Sequence, residues 1–396
     1  MGNLLFNSLN ITFTHRFNDE NLSAGYTTIN GKRKSNEDAH CIKKLDNDRY
    51  FFGVFDGHNG DKCSKFLSEN LYKKFENVVI NDKTIIDSCL EIDKIILNDP
   101  EIQNNGSTAT FSIVQKENEK YHTYISNVGD SLTFIIRDGK ILYCTEEHKP
   151  NNTIERNRIE KCNGYVADNR LNGQLALSRA FGDLIYKNSN NSNNTHGKKW
   201  DINPNDEEFF ELFNNGKLDP TNFKLISIPD IEYFECYEND IIVHICDGII
   251  ESKMTVEDVK TIINDNVTDE LGYITALVGL ESLRNGTNDN VSCMIIKLNS
   301  NNDKTLPEKE FVIPPFVCNY ERTFYNTYQN MLEIIDIDIL KALNIRKQII
   351  TNTCELSKYQ EKILDHICMK PINTDEIIFI KNWEGCLGIS TDDLSM

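Results

Sequence analysis

The chain has 396 residues, 39% hydrophobic and 26% charged, enough to bury one large core or two modest ones. A formal net charge of −19 with no basic stripe argues against a nucleic-acid partner. No stretch approaches the roughly 20 apolar residues that cross a bilayer, and the 12 cysteines, scattered and without a C-x-x-C pair, read as reduced thiols of a cytoplasmic or nuclear protein.

In chain order, residues 1–22 read as an N-terminal segment without a secretory signal. Met1-Gly2 opens as an N-myristoylation signal does, but Phe6 stands where Ser or Thr belongs, so a membrane partner is expected only if that lipid is added. Strands are predicted over 50–55, 109–114, 121–126, 132–137, 141–144, 241–246 and 291–298, rich in Ile, Val, Phe and Tyr and bounded by Gly, Asp or Asn. Apolar residues at three- and four-residue steps predict helices over 62–75, 83–97, 153–161, 255–264 and 269–283. Such a mixture points to sheets packed on sheets with helices outside, although propensity alone also allows a mixed open sheet. The run Asn188-Ser-Asn-Asn-Ser-Asn-Asn194 opens a polar insertion, about 187–222, expected to be irregular and mobile. Beyond residue 300, Pro307, Pro314 and Pro315 mark a crossing, and 331–349 and 355–368 read as amphipathic helices. The 301–396 extension is taken as a helical cap on the core rather than a separate domain.

The chemistry lies in acids at strand ends. Phe51-Phe52-Gly53-Val54-Phe55-Asp56-Gly57-His58 runs an apolar strand into a carboxylate, and Ile241-Ile-Val-His-Ile-Cys-Asp247-Gly248 does the same. Asn288-Asp289-Asn290 precedes another strand, Gly129-Asp130-Ser131 occupies a turn, and Arg33-Lys-Ser-Asn36-Glu37-Asp38 adds two acids and a guanidinium. Any one of these alone is an ordinary turn. Together, acids on neighbouring strand ends repel unless a cation lies between them, and hard divalent ions with oxygen ligands suit that place.

These motifs, with Gly106-Ser107-Thr108-Ala109, Glu147-His148-Lys149-Pro150 and Leu177-Ser178-Arg179-Ala180-Phe181-Gly182-Asp183 between them, closely resemble the metal-dependent Ser/Thr protein phosphatases of the 2C type, the PPM family. The resemblance covers about residues 24–298. It implies an α+β fold, a four-layer α-β-β-α sandwich of two antiparallel sheets with a binuclear metal site at one edge, in a domain over 23–300. It also implies two Mn²⁺ or Mg²⁺ ions. Asp56 would bridge them, Asp247 and Asp289 would hold one, and Glu37 with the Gly57 carbonyl would hold the other. Asp130 would take a third, weaker ion, with Asp38 and Asn290 in support. Arg33 is expected to grip phosphate and His58 to protonate the leaving oxygen, with surface ion pair and turn residue as the plainer alternatives. His148 and His244 are read as structural. Four positions depart from the family pattern: Leu132 for Arg, Asn59 and Asn163 for Gly, and Ile250 for Trp. The expected partners are phosphoprotein substrates, met by a monomer. The alternatives are a catalytically silent scaffold of the same fold and a metal-dependent phosphodiesterase, the latter disfavoured by the charge.

Overall fold

The computed structural model describes residues 12–31, 33, 35–46, 48–187, 207–251, 253–299 and 308–312. The expected N-terminal lipid site, the Asn-rich run and both helices of the 301–396 extension lie outside them. The chain divides into two units. Of the described residues, the larger holds 16–299 and the smaller holds 12–15 and 308–312. In the smaller unit, Thr12 to His15 pair antiparallel with Lys309–Val312.

In the larger unit, strand residues alternate between two buried faces. One sheet is built from β1 (Ser23–Ile29), β6 (Leu132–Arg137), β7 (Lys140–Cys144), β9 (Ile241–Ile245) and β10 (Val291–Lys297), in spatial order β7-β6-β9-β10-β1. The other contains β2 (Ala39–Lys44), β3 (Arg49–Phe55), β4 (Ala109–Glu117), β5 (Lys120–Val128) and β8 (Asp230–Cys236), in order β8-β5-β4-β3-β2. Neighbouring strands in both sheets pair antiparallel.

Odd positions of β9 (Ile241, Val243, Ile245) join an outer core with Val259 and Ile263 of helix α3 (Val256–Asp265) and Ile274 and Val278 of α4 (Leu271–Arg284). On the other side, Phe51 and Phe55 of β3 and Phe111 and Ile113 of β4 pack with Leu67 of α1 (Lys62–Asn70) and Ile85, Ile92 and Ile96 of α2 (Asp82–Leu97). Each fully buried Phe, Leu or Ile there contributes about 1.5–3 kcal/mol. Even positions face the space between the sheets. There the buried His244 ring bridges Ser112 Oγ (2.9 Å) of one sheet and Thr133 Oγ1 (2.5 Å) of the other, and Thr110 and Thr133 hydroxyls share a 2.6 Å bond. The result is the predicted four-layer sandwich.

Two expectations need correction. The helix predicted over 62–75 ends at Asn70 and continues as a 3₁₀ turn, Leu71–Phe75. Residues 207–214, expected to be irregular, form a helix, Glu207–Asn214. Its Phe209 and Phe213 lie one turn apart, stack at 5.5 Å and are buried with Leu97, Leu184, Phe223 and Ile226. Four-residue aromatic spacing supplies an apolar face that the Asn-rich run before it lacks.

Candidate active site

Asp56 is the first residue past the apolar run of β3. Its N–H donates to Thr108 Oγ1 (3.2 Å) and its carbonyl accepts from the Thr108 N–H (2.9 Å), fixing the strand end against the start of β4. Gly57-His58 then pairs antiparallel with Gly106-Ser107. A β-carbon at 57 would run into the Glu37 carbonyl and lie 2.8 Å from Ser64 Oγ, so only glycine lets this backbone lie against the segment carrying Glu37 and Asp38. Asp247 follows β9 after one residue and opens a single helical turn, Asp247–Ile250. Asp289 and Asn290 precede β10. Asn290 stitches the 30–37 loop to that strand: its Oδ1 accepts from the Glu37 N–H (2.9 Å), and its Nδ2 donates to the carbonyls of Asn30 (2.9 Å) and Ser35 (3.0 Å).

These strand ends open on a cleft of about 650 Å³, lined by every predicted site residue except Asp38. Asp38 sits behind, with ligand atoms of Asp38, Asp56 and Cys246 within 4.8 Å of one another. Burial, then repulsion from Asp247, Asp38 and Asp130, pushes the Asp56 carboxyl well above the usual carboxylate range. Asp247 is raised in the same way, by burial and then by Asp130 and Glu251. Asp38 is raised to about 6 by burial, against the pull of the 2.6 Å bond it accepts from Ser292 Oγ. Its Oδ1 is buried with no hydrogen-bond partner among the described residues. Converging, mutually repelling oxygen donors with an unsatisfied buried oxygen are what hard divalent cations relieve, so the donor set fits Mg²⁺ or Mn²⁺. Cys246 does not belong to that set. Burial and the neighbouring carboxylates push its thiol up, and its sulfur accepts from the Ser292 N–H (3.0 Å) as a packing group.

The remaining predicted residues carry partners. Arg33, 58% exposed, donates to Asp289 Oδ2 at 2.6 Å, so its fork stands at the cleft rim on a predicted metal ligand. Glu37 accepts from the Gly60 N–H through Oε2 (3.1 Å). His58 Nε2 lies 2.5 Å from Asp183 Oδ2. Burial opposes charge on that ring, but the carboxylates of Asp183, Asp130 and Glu37 outweigh it and raise His58 above the ordinary histidine value. His148 and His244 have structural surroundings: His148 accepts from the Gly129 N–H through Nδ1 (3.1 Å) and its Nε2 lies 3.0 Å from Asp230 Oδ2.

Three residues of the site carry no role in the sequence reading. Glu251 places a carboxylate oxygen within 4.8 Å of those of Asp247 and Asp289. The signal was present, since a four-residue step from Asp247 on a helical turn puts both carboxylates on one face. Lys149 donates to Asp130 Oδ2, and Asp183 contacts His58. Both lie inside family motifs, but only the tertiary fold brings them to these partners.

Residues 23–291 match the family model described as Protein phosphatase 2C. The chain belongs to the protein phosphatase 2C family. It is 33% identical over 262 residues to "Protein phosphatase 2C homolog 2" of Hypocrea jecorina, covering 61% of this chain and 53% of that protein. It is 29% identical over 262 residues to "Probable protein phosphatase 2C 4" of Paramecium tetraurelia, covering 61% and 77%. The chain spans about half the length of several curated relatives it matches, 53% and 49% in two cases. A solved phosphatase from Toxoplasma gondii shares the fold, with a TM-score of 0.64 at 21% identity over 76% of this chain and 99% of that one. Against this protein phosphatase 2C background, the departures are conformationally mild. Asn59 and Asn163 both adopt φ of 58°, the left-handed region where asparagine is the best substitute for glycine. Leu132 is buried in the outer core, and Ile250 packs against it.

Proposed function

We propose that this chain is a metal-dependent phosphatase acting on phosphoserine and phosphothreonine in other proteins. The observation that carries the reading is the convergence of Asp56, Asp247, Asp289 and Glu37, from four separate chain segments, in one cleft with Arg33 and His58. Asp56 would help to hold two Mn²⁺ or Mg²⁺ ions. Asp247 and Asp289, with Glu251 beside them, would hold one, Glu37 and the Gly57 carbonyl the other, and Asp130 a third, weaker ion. When bound, the ions would supply a water acidified toward neutral pH and offset the charge of the phosphate.

The protein's own groups do the rest. The planar guanidinium of Arg33 matches two phosphate oxygens at once and orients phosphorus in the cleft. A serine or threonine alkoxide leaves poorly, and His58 is placed to hand it a proton, a contribution typically of about 10²–10⁴-fold. Asp38 and Asn290 hold the loop that carries Glu37. Among the described residues no helix is long and apolar enough to cross a membrane.

The test is hydrolysis of 4-nitrophenyl phosphate and a phosphoserine peptide with Mn²⁺, Mg²⁺ or EDTA, beside Asp56→Asn and Asp247→Asn. Metal-dependent turnover abolished in both variants is expected. A folded protein inactive with either ion would overturn the reading.

A further inference from the structure

The His58 ring is held from one side only. Nε2 meets Asp183 at 2.5 Å, while Nδ1 has no protein partner among the described residues and His58 lines the cleft. Asp183 does not line the cleft, and its side chain is 2% exposed. Gly106 packs directly against the pair: a β-carbon there would collide with both the imidazole Nε2 and the Asp183 carboxylate.

The segment bearing Asp183 is itself pinned. Gly182 and Asp183 both take left-handed φ, 72° and 52°. The Gly182 N–H donates to Asp93 Oδ1 (2.8 Å), and the Asp183 N–H to the Asn105 carbonyl (3.1 Å). Lys187, fully buried, donates to Asp93 Oδ2 (2.8 Å) and to the Ala180 carbonyl (2.6 Å). A left-handed non-glycine residue costs energy that the surroundings must offset, and here it aims one buried carboxylate at one imidazole nitrogen.

We propose that Asp183 is the positioning residue of the proton donor, an inference that rests on the phosphatase reading and on His58 as the acid. The Asp183 carboxylate accepts the Nε2 proton, fixes the ring plane and leaves the Nδ1 proton facing the cleft. As the bond between phosphorus and the serine oxygen breaks, its electron pair stays on that oxygen, which takes the proton from Nδ1. The oxygen of the attacking water joins phosphorus and releases its proton to solvent, and solvent restores the one on Nδ1. The buried pair of Asp93 and Lys187 holds the backbone that presents Asp183.

The experiment compares wild type, Asp183→Asn, His58→Gln and the double variant on two substrates with Mn²⁺. A phosphoserine peptide needs its leaving oxygen protonated, and 4-nitrophenyl phosphate needs this far less. Asparagine tolerates left-handed φ, so Asp183→Asn keeps the backbone. The ratio of kcat on phosphoserine to kcat on 4-nitrophenyl phosphate should fall roughly 10- to 100-fold in Asp183→Asn, within the range a general acid contributes. His58→Gln should lower it at least as far, the double variant no further, and the Mn²⁺-induced rise in melting temperature should persist throughout. An equal loss on both substrates in Asp183→Asn, or a lost Mn²⁺ effect, would show a merely structural residue and overturn the proposal. An unchanged ratio in His58→Gln with active wild type would remove His58 as the acid and the proposal with it, while leaving the phosphatase reading intact. A wild type inactive on both substrates would refute that reading as well.

Discussion

Glu155, in the helix Thr153–Lys161, holds together the segments bordering the cleft. Its side chain, 4% exposed, accepts from Arg158 Nη2 (2.7 Å) and from Arg179 Nη2 (2.8 Å) and Nε (3.1 Å). The two arginines in turn donate to the carbonyls of Ser178, Phe223, Lys224 and Ile228. Burial works against the charge on Glu155, but Arg179 and Arg158 outweigh it and hold its pKa at about 2. Against an unfolded value of 4.5, that difference is worth about 3 kcal/mol at neutral pH. Because the folded pKa is depressed, the stabilisation is complete above about pH 4.5 and fades as pH falls through 2. Glu155→Gln should therefore lower the free energy of urea unfolding by about 3 kcal/mol at pH 7, or roughly 6–12 °C in melting temperature. The gap to wild type should narrow to about 2 kcal/mol at pH 3.5. A gap below about 1 kcal/mol at pH 7, or one that does not narrow in acid, would refute the view that this carboxylate neutralises two half-buried guanidinium groups.

Three other outcomes are expected. Mn²⁺ added to EDTA-treated protein should raise the melting temperature, by about 2.7 kcal/mol of stabilisation at a hundredfold excess over Kd; scanning calorimetry showing the same rise in Asp56→Asn would contradict the ligand assignment. His244, held neutral by burial with its pKa lowered to about 3, must give up stability as pH falls below 6.5, because the unfolded chain takes a proton that the folded one refuses. His244→Ala should cost about 1–3 kcal/mol at pH 7 by stranding the Ser112 hydroxyl and leaving Thr133 only its bond to Thr110, yet flatten the slope of unfolding free energy between pH 6.5 and 4. Phe213→Ala should destabilise by about 3–5 kcal/mol in chemical unfolding, since its ring is buried against Phe209 and Phe223; an unchanged midpoint would mean that the Glu207–Asn214 helix is not packed.

The residues that were legible are those whose local pattern and tertiary role coincide. β3 and β9 announce themselves because apolar residues fill both of their faces and end at an acid. β2, Ala39–Lys44, and β8, Asp230–Cys236, escaped because they are the edges of their sheet and carry the lysines and acids that edges favour over an apolar run. β1 escaped for a different reason. Its Gly25 lies so near the backbone of Leu271 and Gly272 that no side chain fits, and small residues weaken its strand signal. The acids that converge on the cleft were visible as strand-end motifs, whereas Lys149 on Asp130 and Asp183 on His58 are contacts between segments far apart in sequence that only the assembled fold creates.

Asn59 and Asn163 have a consequence in time. Each holds a left-handed turn, and each is followed by glycine, Gly60 and Gly164. A glycine amide is the least hindered attacker of the preceding asparagine side chain, and asparagine is among the thermolabile residues. Where the family pattern has glycine, this chain has two points at which deamidation on ageing would replace a neutral amide with a carboxylate. At Asn59 the new charge would arise on the residue next to His58, in a cleft already crowded with acids, so stored protein would drift in activity before it drifted in fold.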